Sequence, residues 1–282
     1  MILLVSAAGP ASAPSPGQFQ LTLTERSPLS SIKEQLRRFG WRWESIHTVK
    51  DEGDYDLASE SFQVRVPKPY KAGEEGWGLL VWISPGPSGA APRKDWLEVL
   101  DRHKLIWVGA DQSSNERVMW CRVGLAIDAA TNLQQQYKID PSRIYVAGMS
   151  GGGRVASMVA IAYPDLFTGG IYCCGTNFYR EIEAPPQPGD PPGRRHFYAR
   201  ACNPPPINLL TLAKQKSHHV LLTGEHDMNR EPTQAMYEKG FKPDGFKHVT
   251  YLEVPAMRHE LPPAQWLDKA IEALRFTGQK GK

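Results

Sequence analysis

The sequence predicts an α/β fold in which helices cover both faces of a mostly parallel sheet. The chain has 282 residues, of which 41% are hydrophobic and 22% charged, and this is enough apolar material for one large core. From residue 77 onward, short dense apolar runs alternate with amphipathic stretches, as a parallel sheet between two helix layers requires. Near the middle of the chain, a glycine-rich turn joins one apolar run directly to a helical stretch.

Before residue 77 the pattern predicts one helix and one strand. Ser27 and Pro28 have the residue types of a helix start, and an apolar stripe at helical spacing continues to Phe39, where Gly40 ends it. In the range Phe62–Val66 apolar and polar residues alternate with period two. We expect this half-buried strand to form an antiparallel, N-terminal edge of the sheet.

After residue 77 the predicted strands and helices follow one another along the chain. The predicted strands are 78–83, 105–109, 143–147, 170–174, 220–223 and 250–254. The predicted helices are 95–103, 117–137, 155–163, 208–216 and 264–276. We expect residues 18–282 to form a single domain, with a short proline-rich insertion at about 177–206.

Residues 1–17 are predicted to be a signal-like or disordered tail. The apolar start and the small residues Ala11, Ser12 and Ala13 resemble a secretory signal and its cleavage site, although the segment is short and has no basic start. A plain tail rich in alanine, proline and serine fits the same residues. The expected location is therefore secreted or periplasmic, and otherwise cytoplasmic.

Four cysteines leave two interpretations open. Cys121, Cys173, Cys174 and Cys202 would permit two disulfides in an oxidising compartment. Because adjacent cysteines rarely pair with each other, Cys121 and Cys202 would then each bond to one of the neighbouring pair. The alternative is four buried thiols that behave as small hydrophobic side chains.

The composition gives no reason to expect nucleic acid or a membrane as a partner. There are 33 Lys and Arg against 30 Asp and Glu, a net charge of only +3. No run of about 20 apolar residues predicts a membrane span.

The strongest chemical signal is the glycine-rich turn. Gly148, Ser150 and Gly152 form Gly-x-Ser-x-Gly between a predicted strand and a predicted helix. In this context the serine hydroxyl is exposed at a sharp turn, beside the unpaired amides of a helix start. The looser dinucleotide pattern of Gly151, Gly153 and Ala156 is the weaker interpretation, because an acid and a histidine follow downstream.

A nucleophilic serine needs a base, and the base needs a carboxylate that orients it. Asp227 follows the strand 220–223, and His259 follows the strand 250–254. The chain order is therefore Ser, Asp, His, the order that α/β-hydrolases use.

With these residues in view, residues from about 77 to 276 resemble an α/β-hydrolase. The run from Asp140 to Gly152 is similar to the nucleophile region of secreted esterases of the polyhydroxybutyrate-depolymerase and feruloyl-esterase type. The resemblance implies the α/β-hydrolase fold, with Ser150 as nucleophile, Asp227 as orienting acid and His259 as base.

The oxyanion hole is expected to use the amide of Gly151 and a second amide from the loop 84–89. Pro85 and Pro87 have no N–H, which leaves Gly86 as the preferred donor and Ser88 as the second choice. Relatives usually have His-Gly at this point, so the sequence of the loop departs from theirs.

Other polar residues near the strand ends are expected to have structural roles. Glu225 competes with Asp227 as the acid but does not match the family position. Asp111 and Asn115 are interpreted as turn residues. The absence of His-Glu-x-x-His spacing argues against a metal site formed with His218, His219 and His226.

The expected reaction is hydrolysis of a small or polymeric ester through an acyl-enzyme, without a metal or organic cofactor. Two alternatives stay open: a serine peptidase with the same catalytic residues, and a catalytically silent binding protein on this fold. Aromatic residues of the insertion, among them Phe178, Tyr179 and Phe197, either line an acyl pocket or cover the core.

Overall fold

The computed structural model of the chain describes residues 16–41, 54–89, 92–186 and 188–275. The predicted tail 1–17 lies outside the described residues as far as residue 15, and Gly17 begins the first strand. Of the helices in the described ranges, none combines the length and apolar character that a membrane crossing needs.

Among the described residues, eight strands form one sheet, and two short strands form a separate hairpin. In chain order, the strands of the large sheet are β1 (Gly17–Thr22), β2 (Ser61–Val66), β3 (Trp77–Ile83), β4 (Leu105–Ala110), β5 (Ile139–Met149), β6 (Gly169–Cys173), β9 (His218–Gly224) and β10 (His248–Val254). The hairpin strands are β7 (Ile182–Ala184) and β8 (His196–Tyr198). The order across the large sheet is β1-β2-β4-β3-β5-β6-β9-β10.

The predicted mostly parallel sheet with an antiparallel N-terminal edge is confirmed. All neighbours from β4 to β10 are parallel, while β1 with β2 and β2 with β4 are antiparallel. The edge strand itself was predicted wrongly, because β2 lies between β1 and β4 and β1 occupies the edge. The alternating exposure along β1 is that of an edge strand with one face toward the core.

Seven α-helices of the described ranges surround this sheet. They are α1 (Ile32–Arg38), α2 (Leu97–Arg102), α3 (Met119–Gln136), α4 (Gly151–Ala162), α5 (Ile207–Lys216), α6 (Arg230–Ala235) and α7 (Ala264–Leu274). Alternate residues of each central strand enter different cores: Leu79 and Val81 pack with α3 and α4, whereas Leu80 and Trp82 pack with α2 and α7. Helices on both faces are therefore confirmed.

The first helix begins four residues later than the sequence predicts. Ser27 caps a short 3-10 turn, Pro28–Ser30, by accepting from the amide of Leu29. Ser31 then caps α1 by accepting from the amide of Glu34. Two consecutive serine caps divide what the sequence presents as one helix.

The insertion packs its first aromatic residues into the core. Phe178 and Tyr179 are buried and contact Phe246, and Phe178 also contacts Phe241. These two residues cover the core and do not form an open pocket, while Phe197 is 47% exposed.

All four cysteines are free and buried. Of the two interpretations that the sequence leaves open, the structure has the four thiols. Burial raises the pKa of each thiol, so all of them are protonated near neutral pH.

Candidate active site

Ser150 lies at the sharp turn between β5 and α4. Its φ is 54° and its ψ is −121°, a conformation that non-glycine residues rarely adopt. The amide of Ser150 donates to the carbonyl of Cys173 at the end of β6, at 2.8 Å. This bond fixes the strained residue against the neighbouring strand.

The turn requires glycine at position 152 because two backbone segments meet there. A Cβ on Gly152 would lie 1.9 Å from the carbonyl oxygen of Ile83, at the end of β3. The start of α4 therefore packs directly on the strand that leads into the loop 84–89. The Gly-x-Ser-x-Gly pattern thus brings the serine and this loop together.

Ser150, His259 and Asp227 form a continuous chain of hydrogen bonds. Nε2 of His259 lies 2.9 Å from Oγ of Ser150, and Nδ1 of His259 lies 2.7 Å from Oδ1 of Asp227. A carboxylate only accepts, so Nδ1–H donates to Asp227, and Nε2 is left to accept the serine O–H. The structure therefore brings together the three residues that the sequence selects for the triad.

The carboxylate of Asp227 is fully buried and has two further donors. Oδ2 accepts from the hydroxyl of Thr223 at 2.7 Å, and Oδ1 accepts from the amide of Asn229 at 3.1 Å. These bonds fix the carboxylate, and the carboxylate in turn fixes the imidazole ring. The side chain of His259 is 25% exposed, so it can be reached from solvent.

The loop 84–89 is anchored at both ends and in the middle. Arg122, from α3, donates from Nη2 to the carbonyl of Ser84 at 3.1 Å. The amide of Gly89 donates to Oδ1 of Asp111 at 2.9 Å. Between them, the amide of Asn115 donates to the carbonyl of Pro85 at 3.0 Å.

Arg122 is a buried cation that interacts with carbonyl groups. It is 6% exposed, and its Nε also donates to the carbonyl of Ser113 at 2.8 Å. Within the described ranges no carboxylate forms an ion pair with it, and burial lowers its pKa to about 10. Arg122 thus joins the loop 84–89 to the loop that follows β4.

Asp111 is more than the turn residue that the sequence predicts. Its carboxylate accepts from Gln20, Ser61 and Gln63 as well as from Gly89. Burial alone would raise its pKa, but these hydrogen bonds lower it below the ordinary value. The carboxylate connects the N-terminal strands to the loop 84–89.

The two predicted oxyanion donors differ in their surroundings. Gly151 is the first residue of α4, and among the described residues its amide has no acceptor, as expected at a helix start. The amide of Gly86 donates to Oγ of Ser84 at 3.1 Å. It would have to share or leave that bond to serve an oxyanion, and its role stays a prediction.

The competing residues support the loop that carries His259. Oε2 of Glu225 accepts from the amide of Ala256 at 2.8 Å, and the amide of His226 donates to the carbonyl of Met257 at 2.9 Å. Neither side chain belongs to the chain of hydrogen bonds at Ser150. His218 and His219 are buried at the start of β9.

In the part of the chain that the structure describes, one group of three side chains has the spacing of metal ligands: Cys174, Asp227 and His259, with ligand atoms within 4.8 Å of one another. Asp227 and His259 bond to each other there. Burial raises the pKa of the Cys174 thiol, which favours the protonated form over the thiolate that binds metals. The donor set therefore fits a metal ion poorly.

Sequence reasoning did not select Thr223, Asn229 or Arg122. Thr223 and Asn229 flank the acid closely, so their positions beside Asp227 were available as a signal. For Arg122 the signal is a single cation inside the apolar stretch 119–130. A charged residue in such a stretch needs buried partners, and here the partners are the carbonyls of two loops.

Comparison with known proteins agrees with this architecture. The model of the prolyl oligopeptidase family matches residues 126–237, which include the nucleophile turn and Asp227. Poly(3-hydroxyalkanoate) depolymerase C of Paucimonas lemoignei is 40% identical over 52 residues, which is 16% of this chain and 13% of that protein. An acetylxylan esterase of Coprinopsis cinerea is 28% identical over 99 residues, which is 35% of this chain and 23% of that protein.

Among solved structures, a poly(3-hydroxybutyrate) depolymerase of Bordetella parapertussis superposes with a TM-score of 0.53 at 17% identity. The match covers 79% of this chain and 85% of that one. This likeness concerns the fold. The chain spans less than a quarter of the length of the two curated relatives described above.

Proposed function

Because the chain has the α/β-hydrolase fold, we propose that it is a serine hydrolase of carboxylic esters that works through an acyl-enzyme. The observation that carries the proposal is the Ser150–His259–Asp227 chain of hydrogen bonds, with distances of 2.9 and 2.7 Å, at a nucleophile turn. The relatives named as depolymerase and acetylxylan esterase support an ester as the substrate.

In the proposed first step, His259 takes the proton of Ser150 while Oγ bonds to the ester carbonyl carbon. The electron pair of the C=O bond moves to its oxygen, and the Gly151 amide stabilises that charge. The tetrahedral intermediate then expels the alcohol, which receives the proton from His259. Asp227 keeps the imidazole ring oriented and stabilises its positive charge.

In the second step, His259 removes a proton from water, and the resulting hydroxide attacks the acyl-enzyme. The second tetrahedral intermediate releases the carboxylic acid and returns the proton to Ser150. Both steps use the same three side chains. The scheme requires no cofactor.

A serine peptidase is the second candidate. The match to the prolyl oligopeptidase family favours it, because that family is named for peptide cleavage. The two candidates share their chemistry and differ in the leaving group, which is an alcohol for an ester and an amine for a peptide. A substrate pair with one acyl group therefore separates them.

The experiment compares p-nitrophenyl butyrate with butyryl p-nitroanilide. We expect turnover of the ester, and a loss of about 10⁴-fold or more in Ser150→Ala and about 10⁴-fold in Asp227→Asn. His226→Ala is the control, since its side chain lies outside the hydrogen-bonded chain at Ser150 and its bond to Met257 is made by the backbone amide. Full ester turnover by Ser150→Ala would refute the proposal, and preference for the anilide would favour the peptidase.

If the wild-type protein turns over neither substrate and does not react with a fluorophosphonate probe, the third alternative, a silent binding protein, gains support. A panel of short aliphatic, aryl and polyester substrates then identifies the ester class of an active protein. Small and polymeric esters are both compatible with the proposal.

A further inference from the structure

We propose that the side-chain amide of Asn115 is a donor of the oxyanion hole. This inference rests on the proposed ester hydrolysis at Ser150. It concerns a residue that the sequence alone presents as a turn former. It assigns to the loop between β4 and α3 a direct contact with the reacting carbonyl oxygen.

The carboxamide of Asn115 lies directly against Gly151. A Cβ built on Gly151 would be 2.0 Å from Oδ1, 2.7 Å from Cγ and 3.0 Å from Nδ2 of Asn115. The side chain of Asn115 therefore occupies the space where residue 151 would have its own side chain. It lies beside the backbone whose amide is expected to bind the oxyanion.

The backbone of Asn115 is fixed, but its carboxamide is free. The amide N–H of Asn115 donates to the carbonyl of Pro85, which joins this residue to the loop 84–89. Within the described ranges no hydrogen bond is formed by Oδ1 or Nδ2, and the residue is exposed. A half-turn about the Cβ–Cγ bond exchanges the two terminal atoms, so Nδ2–H can face the reacting carbonyl.

The loop 84–89 has few other donors to offer. Pro85 and Pro87 have no N–H, and the amide of Gly86 donates to Oγ of Ser84. An oxyanion hole works through donors aimed at the oxygen that becomes charged, and a side-chain amide serves as well as a backbone one. Asn115 supplies a side-chain donor beside the backbone amide of Gly151.

During attack, the electron pair of the carbonyl moves to oxygen as Oγ of Ser150 bonds to carbon. Nδ2–H of Asn115 and the amide of Gly151 then donate to this oxygen. No proton leaves Asn115, and no bond to it forms or breaks. The interaction strengthens as charge develops, so its loss lowers kcat more than it raises KM.

The first test uses Asn115→Ala and the nearly isosteric Asn115→Asp, with Gln112→Ala as a control on the same loop. We expect kcat for p-nitrophenyl butyrate to fall about 100-fold in both Asn115 variants, with KM within about threefold. The control is expected to stay within about twofold of the wild type. Asn115→Ala with kcat within threefold of the wild type would overturn the proposal.

A tetrahedral inhibitor separates an oxyanion contact from a general disturbance of the site. Phenylboronic acid forms a tetrahedral adduct on a nucleophilic serine, with a hydroxyl at the place of the oxyanion. We expect its inhibition constant to rise in Asn115→Ala in parallel with the loss of kcat/KM. A loss of kcat with an unchanged inhibition constant would overturn the proposal.

Gly151→Ala supplies a second, independent test, because the new methyl group would displace the Asn115 carboxamide. The double variant Asn115→Ala/Gly151→Ala is then expected to lose no more activity than Gly151→Ala alone, whereas additive losses would count against the contact. If the proposed function itself fails, the wild type shows neither ester turnover nor boronate inhibition. If only the inference fails, the wild type shows both.

Discussion

Replacing Arg122 with methionine is expected to change activity far more than stability. Burial lowers the pKa of Arg122 from 12.5 to about 10, and a shift of that size corresponds to about 3 kcal/mol against the charged form. The guanidinium group compensates for this with hydrogen bonds to the carbonyls of Ser113 and Ser84, at 2.8 and 3.1 Å. Methionine has a similar length and no charge, so Arg122→Met removes both contributions.

The two contributions nearly cancel in the folding equilibrium. Removing the buried charge of Arg122 raises the free energy of unfolding by about 3 kcal/mol. Each of the carbonyls of Ser113 and Ser84 that is left without its donor lowers it by about 1–3 kcal/mol. With two such carbonyls, we therefore expect the free energy of unfolding to fall by no more than about 3 kcal/mol. The loop 84–89, however, loses its anchor at Ser84, and a displacement of about 1 Å near a reacting centre costs about 100-fold in rate.

The assay pairs urea unfolding with ester kinetics on the same preparations of Arg122→Met and the wild type. Arg37→Met is the control, because Arg37 is an exposed cation on α1 that pairs with Glu34. Arg122→Lys keeps the charge but loses the two-pronged geometry, so it is expected to have intermediate activity. A wild-type kcat in Arg122→Met would refute the reasoning, whatever the stability of the variant.

Three further predictions concern stability and thiol chemistry. Burial lowers the pKa of His219 to about 3, so between pH 6.5 and about 3 the unfolded state binds a proton that the folded state does not. As the pH falls through this range, the group should lower the free energy of unfolding by about 1.4 kcal/mol per pH unit. Urea unfolding of His219→Gln at several pH values should show a pH dependence of that free energy that is smaller by this amount. Gly152→Ala would place a methyl carbon 1.9 Å from the carbonyl oxygen of Ile83. Thermal unfolding should show that the free energy of unfolding falls by about 1–3 kcal/mol or more. Gly240→Ala is the control and should lose little stability, because its nearest neighbouring atom would be 3.4 Å from the new methyl carbon. All four cysteines are buried and free, so Ellman's reagent should label the native protein slowly and four thiols after unfolding without reductant; fewer than four would contradict the structure.

The central sheet could be predicted because its strands are buried on both faces. Strands such as β3 and β9 are buried along their whole length, and such strands appear in a sequence as continuous apolar runs. β1 was missed because glutamines alternate with its few apolar residues and because it adjoins the predicted tail. Helix α6 and the π-helical turn Met236–Phe241 that follows it were also missed, since Pro232 and Gly240 mask the helical pattern.

The residues at Ser150, Asp227 and His259 could be selected because each follows a recognisable strand. The pattern around Ser150 is local, and the chain order of the other two limits the choice of partners. Arg122 and Asn115 could not be selected in this way. Their importance depends on which loops become neighbours after folding, and spacing along the chain carries no information about that.

The hydrogen-bonded chain at Ser150 spans 109 positions of sequence to His259, which lies five residues beyond the end of β10. During synthesis, a nascent chain that has reached residue 250 already contains the serine and the aspartate but not the imidazole. Such a chain has no general base for the serine, so the proposed hydrolysis begins only after β10 has emerged from the ribosome and paired with β9. During refolding, the recovery of ester turnover would therefore report when β10 has paired with β9 and His259 has reached Ser150.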